Sequence, residues 1–205
     1  MLIREEALPF AAPLAVGAVV LGSLGHYGFA LIPLVGALCV CAFFRDPERA
    51  PGHGPDVLVS PADGKVIKAA SLGDGRVLVS VFMSVFNVHV NRAPCEGEIE
   101  SVAYNPGKFM AAWAEKASLD NEQMRIRLST PRGIVEVVQI AGLIARRIIC
   151  WARPGKRFGR GERLGFIRFG SRVDLYMPEA EVEILVAPGQ TARAGVTPLA
   201  RWQKP

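Results

Sequence analysis

The sequence predicts a β-rich α+β protein, a compact single domain of short strands and hairpins preceded by an apolar helical hairpin. Three observations carry that prediction. Residues 7–44 contain no Lys, Arg, Asp or Glu. Beyond them, apolar residues recur in short alternating runs punctuated by Gly and Pro, the pattern of strands joined by tight turns. A chain of 205 residues suffices for one well-buried core with an appendage and is too short for two ordinary domains.

The apolar stretch breaks at Gly25-His26-Tyr27-Gly28 into two arms. Each is slightly short of the ~20 residues that cross a bilayer comfortably. Two tilted spans and a shallow re-entrant hairpin both fit, and the second arm argues against a cleaved signal peptide. Residues 1–44 are therefore expected to associate with the cell membrane. Arg45 and Arg49 follow the hairpin, a weak charge bias that sets the rest of the chain on the cytoplasmic side. "FFRDPERAPGHGP" (43–55) is rich in Pro, Gly and charge, so residues 45–56 read as a linker.

Residues 57–205 form the expected domain. Strands are expected at Val57–Ser60, Gly64–Ala69, Arg76–Val90, Met124–Ser129 and Ile134–Ile140, with "TPRG" (130–133) as a hairpin turn. The Ala-rich Met110–Ala117 is expected to be helical. "PGKRFGRGERL" (154–164) and "PGQTARAGVTPL" (188–199) share Pro-Gly, then five residues, then Gly, and a following Leu. That echo suggests a duplicated hairpin unit. "FIRFGSRVDLYMP" (166–178) reads as one amphipathic strand with Ile167, Phe169, Val173, Leu175 and Met177 on its apolar face and Arg168, Arg172 and Asp174 opposite. Ser171 interrupts the apolar row.

The net charge of +5 has a local source in Arg146, Arg147, Arg153, Lys156, Arg157, Arg160 and Arg163. On charge alone such a cluster suits an anionic lipid surface and a solvated face about equally, and the adjoining apolar hairpin tips the reading toward lipid. No aromatic or motif pattern supports nucleic-acid binding. Cys39 and Cys41 lie in the apolar arm while Cys95 and Cys150 are isolated, so neither a disulfide framework nor a zinc site is expected, and no other metal.

Three polar residues carry the candidate chemistry. His26 sits at the hairpin tip and His53 in the linker, which leaves His89 as the domain's imidazole. "SPADGKV" (60–66) adds Asp63 in a turn, where Asp-Gly is also common for conformational reasons alone. With Ser171 they supply an orienter, a base and a nucleophile. The exposed G-x-S-x-G elbow of an external-substrate hydrolase is absent. Instead Ser171 Oγ is placed to attack the carbonyl of Gly170, and glycine tolerates the backbone strain that this requires.

"FFRDPER", "SPADGKV", "FMSVFNVHVNRAP", "NPGKF", "DNE", "QIAGLIARRI" and "RFGSRVDLYMP" together resemble the short prokaryotic form of the phosphatidylserine decarboxylases, which are pyruvoyl enzymes. The resemblance runs from about residue 43 to the C-terminus. It implies a proenzyme that cuts itself between Gly170 and Ser171 into a β chain, 1–170, and an α chain, 171–205. An acyl shift, an elimination and loss of ammonia would leave a pyruvoyl group, derived from Ser171, as the covalent cofactor. That group would form a Schiff base with the amine of phosphatidylserine, and CO2 would leave to give phosphatidylethanolamine. The resemblance assigns self-cleavage to His89 and Asp63 as base and orienter, and His89 is the candidate proton donor in decarboxylation. Longer members carry a second histidine where Arg92 stands here, so Arg92 and Asn87 are alternative contributors. The implied partners are the lipid substrate, an anionic membrane surface and the chain's own two fragments as a heterodimer, with higher homo-oligomers left open. Two other readings stand beside it: a membrane-anchored lipoyl- or biotinyl-like carrier or adaptor, which lacks the modified lysine, and a membrane serine hydrolase, which would keep Ser171 intact.

Overall fold

The computed structural model describes residues 2–107, 121–142, 148–168 and 170–203. The helix expected at Met110–Ala117 lies outside them, as do Arg146, Arg147 and Phe169. The chain divides into two compact units, Met1–Glu48 and Arg49–Pro205.

In the first unit β1 (Leu2–Ile3) pairs with β2 (Arg45–Asp46), and between them lie α1 (Leu8–Ser23) and α2 (Tyr27–Phe43). A proline in the first turn of α1 suits a position whose N–H has no helical partner. The helices are joined through Gly25, whose φ of 78° is left-handed. Neither helix has a polar face: α1 buries none of its residues and α2 only Ala37 and Phe43. By length and composition Glu5–Ser23 can cross a membrane, and α2 is a shorter apolar helix.

The second unit is β-rich. Its strands are β3 (Val57–Val59), β4 (Gly64–Ser71), β5 (Arg76–Met83), β6 (Val90–Arg92), β7 (Gly97–Asn105), β8 (Gln123–Thr130), β9 (Gly133–Ala141), β10 (Ile148–Cys150), β11 (Arg157–Phe158), β12 (Arg163–Ile167), β13 (Ser171–Pro178), β14 (Val182–Ile184), β15 (Thr191–Ala192) and β16 (Pro198–Trp202). Among the described residues an eight-stranded sheet runs β11-β7-β8-β9-β13-β5-β4-β15, and two three-stranded sheets run β10-β12-β6 and β14-β16-β3. One face of the large sheet carries Val79, Val81 and Met83 of β5, Val173, Leu175 and Met177 of β13 and Val137 of β9, all in the core.

The echo at 154–164 and 188–199 belongs to a larger duplication. The sheet order is symmetric about the β9–β13 pair, with β8 matched by β5, β7 by β4 and β11 by β15, while β10-β12-β6 matches β14-β16-β3. The irregularities match as well. A bulge between Val66 and Lys68 recurs between Ile99 and Ser101, and one between Pro198 and Ala200 recurs between Arg163 and Gly165. So do single hydrogen bonds: Gly195 N–H to Ser60 O and Gly161 N–H to Ala93 O are both 2.8 Å. The halves also exchange bonds, Val59 N–H to Pro94 O at 2.8 Å and Arg92 N–H to Pro61 O at 2.9 Å, as a two-fold relation requires. One repeat, β6–β12, is continuous and is inserted into the other between β5 and β13. In the inserted repeat the matching strands β8 and β9 close tightly through Pro131 and Arg132, with Thr130 paired to Gly133. In the interrupted repeat the corresponding pair is Met83 and Ser171.

Candidate active site

Ser171 is the first residue of β13, where the chain re-enters the interrupted repeat. It pairs with Met83 on one side and Ala141 on the other, is fully buried, and its Oγ has no hydrogen-bond partner among the described residues. The phase read from the sequence holds, since Ser171, Val173, Leu175 and Met177 share the core face. Residues 166–178 are nevertheless not one strand. β12 ends at Ile167 in a three-stranded sheet and β13 begins at Ser171 in the large one. Gly170 takes φ = 55°, and a Cβ there would meet nothing within 4 Å among the described residues. Backbone conformation, not crowding, therefore favours glycine. The opposite face is buried too: Arg172 donates to Asp174 at 2.6 and 2.9 Å and to Ser80 Oγ at 3.0 Å.

The expected strand Arg76–Val90 breaks as well. β5 stops at Met83 because Asn87 turns the chain, its Oδ1 accepting from Ser84 N–H at 2.9 Å and Ser84 Oγ–H at 2.8 Å. Such Asx closures compete with strand ladders. His89 consequently lies in a loop and not in register with Val79, Val81 and Met83, yet it is fully buried. Its Nδ1 is 3.0 Å from Asn87 O. A carbonyl only accepts, so Nδ1 carries the proton and the neutral ring has its lone pair on Nε2, the form a general base needs. The loop starts at Met83, opposite Ser171, and returns to β6, where Asn91 Nδ2 is 3.7 Å from Met83 Sδ. Ile167 N–H also reaches His89 O at 3.3 Å. His89 thus sits on a loop whose two ends converge on the Ser171 row.

Asp63 is one strand further along. Lys65 pairs with Phe82, which sets Gly64 beside Met83, and a Cβ on Gly64 would overlap the Phe82 carbonyl. The Asp63 carboxylate accepts from Ala194 N–H at 2.7 Å and forms a two-pronged pair with Arg49, one prong at 2.9 Å. Among the described residues no hydrogen bond joins Asp63 to His89. Arg49 itself was missed in the sequence, where it reads as a linker charge and nothing local marks it as the partner of Asp63. Of the other contributors, Arg92 donates to Gly161 O at 2.9 Å, and Asn87 shapes the loop.

The cation cluster is largely engaged locally. Lys156 pairs with Glu162 and Arg157 with Glu98, while Arg160 donates to the carbonyls of His53, Gly54 and Val57. A cavity of about 950 Å³ is lined by Asp56, Glu96, Thr130 and Trp202 among others. It is the two-fold mate of the Ser171 site: Trp202 N–H meets Asp56 O at 2.8 Å as Ile167 N–H meets His89 O, and Gly133 stands where Ser171 does. It therefore offers no counterpart of the nucleophile. All four cysteines are free thiols, and the described residues show no group of three His, Cys, Asp or Glu suited to a metal ion.

A protein-family model described as phosphatidylserine decarboxylase matches residues 37–200.

Proposed function

The chain therefore belongs to the phosphatidylserine decarboxylase family, and from that premise we propose that it is a self-processing decarboxylase whose reactive group is made from Ser171. The family makes it a carboxy-lyase of phospholipid synthesis, and the carrier and hydrolase readings lose their support. The observation that carries the finer reading is the orphaned hydroxyl of Ser171. A buried polar atom without a partner costs about 1–3 kcal/mol, and here it follows a left-handed glycine in the family's "GS" motif.

Self-processing uses the chain's own groups. His89 Nε2 takes the Oγ proton as Ser171 attacks the Gly170 carbonyl and returns it to the Ser171 nitrogen as the peptide C–N bond breaks and an ester forms in its place. Removal of the Ser171 Cα proton expels the Gly170 carboxylate and leaves a dehydroalanine. Its imine tautomer adds water and releases ammonia, which leaves a ketone at residue 171. Asp63 stands at the end of the same cross-strand row, and to orient His89 it must exchange Arg49 for the imidazole. A pyruvoyl group fits this position, since Met83 and Ala141 wall it from water and the Gly170 side is open. It supplies a carbonyl for the substrate amine to condense with and a sink for the electrons left by CO2. His89 then holds a proton for the substrate carbon.

The apolar hairpin supports a membrane location, where the proposed substrate phosphatidylserine resides, with the catalytic unit on the cytoplasmic side and an anionic lipid surface as its partner. The two fragments stay together as a heterodimer. Intact-mass measurement of purified protein tests the reading. Two fragments joining at 170/171 are expected from the wild-type chain and a single chain from Ser171→Ala; a wild-type enzyme that decarboxylates phosphatidylserine with an unbroken chain would refute it.

A further inference from the structure

We propose that Asn91 and Gln139 are positioning residues of the self-cleavage centre, tying the His89 segment to the Ser171 strand through a buried amide pair. The proposal rests on the roles given above to His89 and Ser171. Gln139 Nε2 donates to Asn91 Oδ1 at 2.7 Å, and both residues are fully buried. Asn91 lies two residues past His89 on β6. Gln139 lies on β9 opposite Val173, a diagonal neighbour of Ser171. The amide bond therefore joins the small sheet to the large one where the first leads from His89 and the second carries Ser171. The contact of Asn91 with Met83 Sδ adds a link to the residue paired with Ser171.

The duplication supplies an internal comparison. Matching the ladders and their bulges sets Leu58 at the place of Asn91, Met177 at that of Gln139 and Ala200 at that of Gly165. All three counterparts are buried and apolar. The fold thus packs this position with hydrocarbon where no chemistry is sited. Beside Ser171 it carries a polar pair instead, and Gln139 Oε1 is left with no partner among the described residues. Gly165 is constrained from two sides, since a Cβ there would overlap the Ile149 carbonyl and come within 2.8 Å of Gln139 Nε2. A pair that is less well satisfied than its apolar counterpart is retained for what it holds in place.

The counterpart set defines the test. Asn91→Leu with Gln139→Met, Gly165 being kept because a Cβ there would meet the Ile149 carbonyl, is placed in a Ser171→Ala background, so that stability is read on a whole chain, and is expected to unfold at or above the temperature of its parent. With Ser171 restored, the same paired variant is expected to convert precursor to fragments at least ten-fold more slowly than wild type in timed intact-mass measurements. Gln139→Glu is the conservative probe. Only its protonated carboxyl can donate to Asn91, so its cleavage rate relative to wild type should rise as pH is lowered. Wild-type cleavage in the paired variant, slower cleavage with a matching loss of unfolding temperature, or a relative rate for Gln139→Glu that is flat with pH would each overturn the proposal. An unbroken wild-type chain would instead overturn the self-cleavage reading beneath it.

Discussion

Arg49→Met separates what Asp63 does for the fold from what it does for chemistry. The side chains of Arg49 and Asp63 are only 9% and 11% exposed, and the guanidinium also donates to Ala194 O at 2.9 Å. Methionine keeps the aliphatic stem and removes the charge, so Asp63 is left with the Ala194 N–H as its remaining donor. Breaking a buried ion pair from one side costs about 3–5 kcal/mol; the residual exposure sets the expectation at the lower end, about 3 kcal/mol. In urea, with a slope near 2 kcal/mol per molar, that lowers the unfolding midpoint by roughly 1.5 M. Adding Asp63→Leu removes the stranded charge and should recover at least half of the loss, less the cost of the Ala194 N–H left without its acceptor. Stability is read in the Ser171→Ala background and cleavage with Ser171 present. If Asp63 assists His89, the double variant is the more stable of the two and yet fails to cleave, whereas Arg49→Met alone still cleaves. A loss below 1 kcal/mol for Arg49→Met would show that the pair does not anchor this corner, and wild-type cleavage in the double variant would remove Asp63 from the chemistry.

Two further perturbations probe the backbone and the core. Gly170→Ala meets no atom but must hold a left-handed φ, so we expect a stable fold weakened by about 1–2 kcal/mol and slowed cleavage. Gly64→Ala is expected not to fold, because its Cβ overlaps the Phe82 carbonyl; equal melting temperatures for the two variants would contradict this. Burial pushes the Cys95 thiol up to about 12, so its thiolate is disfavoured in the folded state. The associated stability is complete below the ordinary thiol range and is lost as pH climbs from about 9 toward 12, by up to about 1.4 kcal/mol per pH unit. Urea midpoints of wild type should therefore fall more steeply with alkaline pH than those of Cys95→Val, and parallel curves would refute the assignment.

Much of this architecture is legible in the sequence, and the failures have physical causes. Ser171 could be phased correctly because its neighbours at 173, 175 and 177 alternate cleanly, while the change of sheet between Ile167 and Ser171 leaves no composition signal. His89 falls within the expected strand Arg76–Val90, which in the structure ends at Met83; its burial comes from a loop that Asn87 closes. β7 escaped notice because the bulge between Ile99 and Ser101 shifts its alternation. Arg49, Asn91 and Gln139 escaped for a shared reason: a polar residue in a linker or strand reads as facing solvent, and only the partner brought from elsewhere in the chain shows otherwise. The echo at 154–164 and 188–199 was a true trace of the duplication, visible because both copies need left-handed glycines, at 155 and 161 and at 189 and 195.

The duplication also explains why a break at 170/171 is compatible with a folded protein. In the inserted repeat, the strands equivalent to β5 and β13 are covalently closed by a two-residue turn. In the interrupted repeat the same strands pair over eight residues without being joined to each other directly, since the chain leaves at Met83 and returns at Ser171. The ladder there is already sustained by pairing and not by a turn. Cutting beside Ser171 removes the return connection but no rung. β13 keeps β5 and β9, β15 keeps β4, and β16 keeps β3 and β14. A reactive terminus created at this seam, as proposed above, would therefore remain buried between Met83 and Ala141, held by strands on both sides. The same cut inside a continuous strand would free a backbone end that the sheet could not retain.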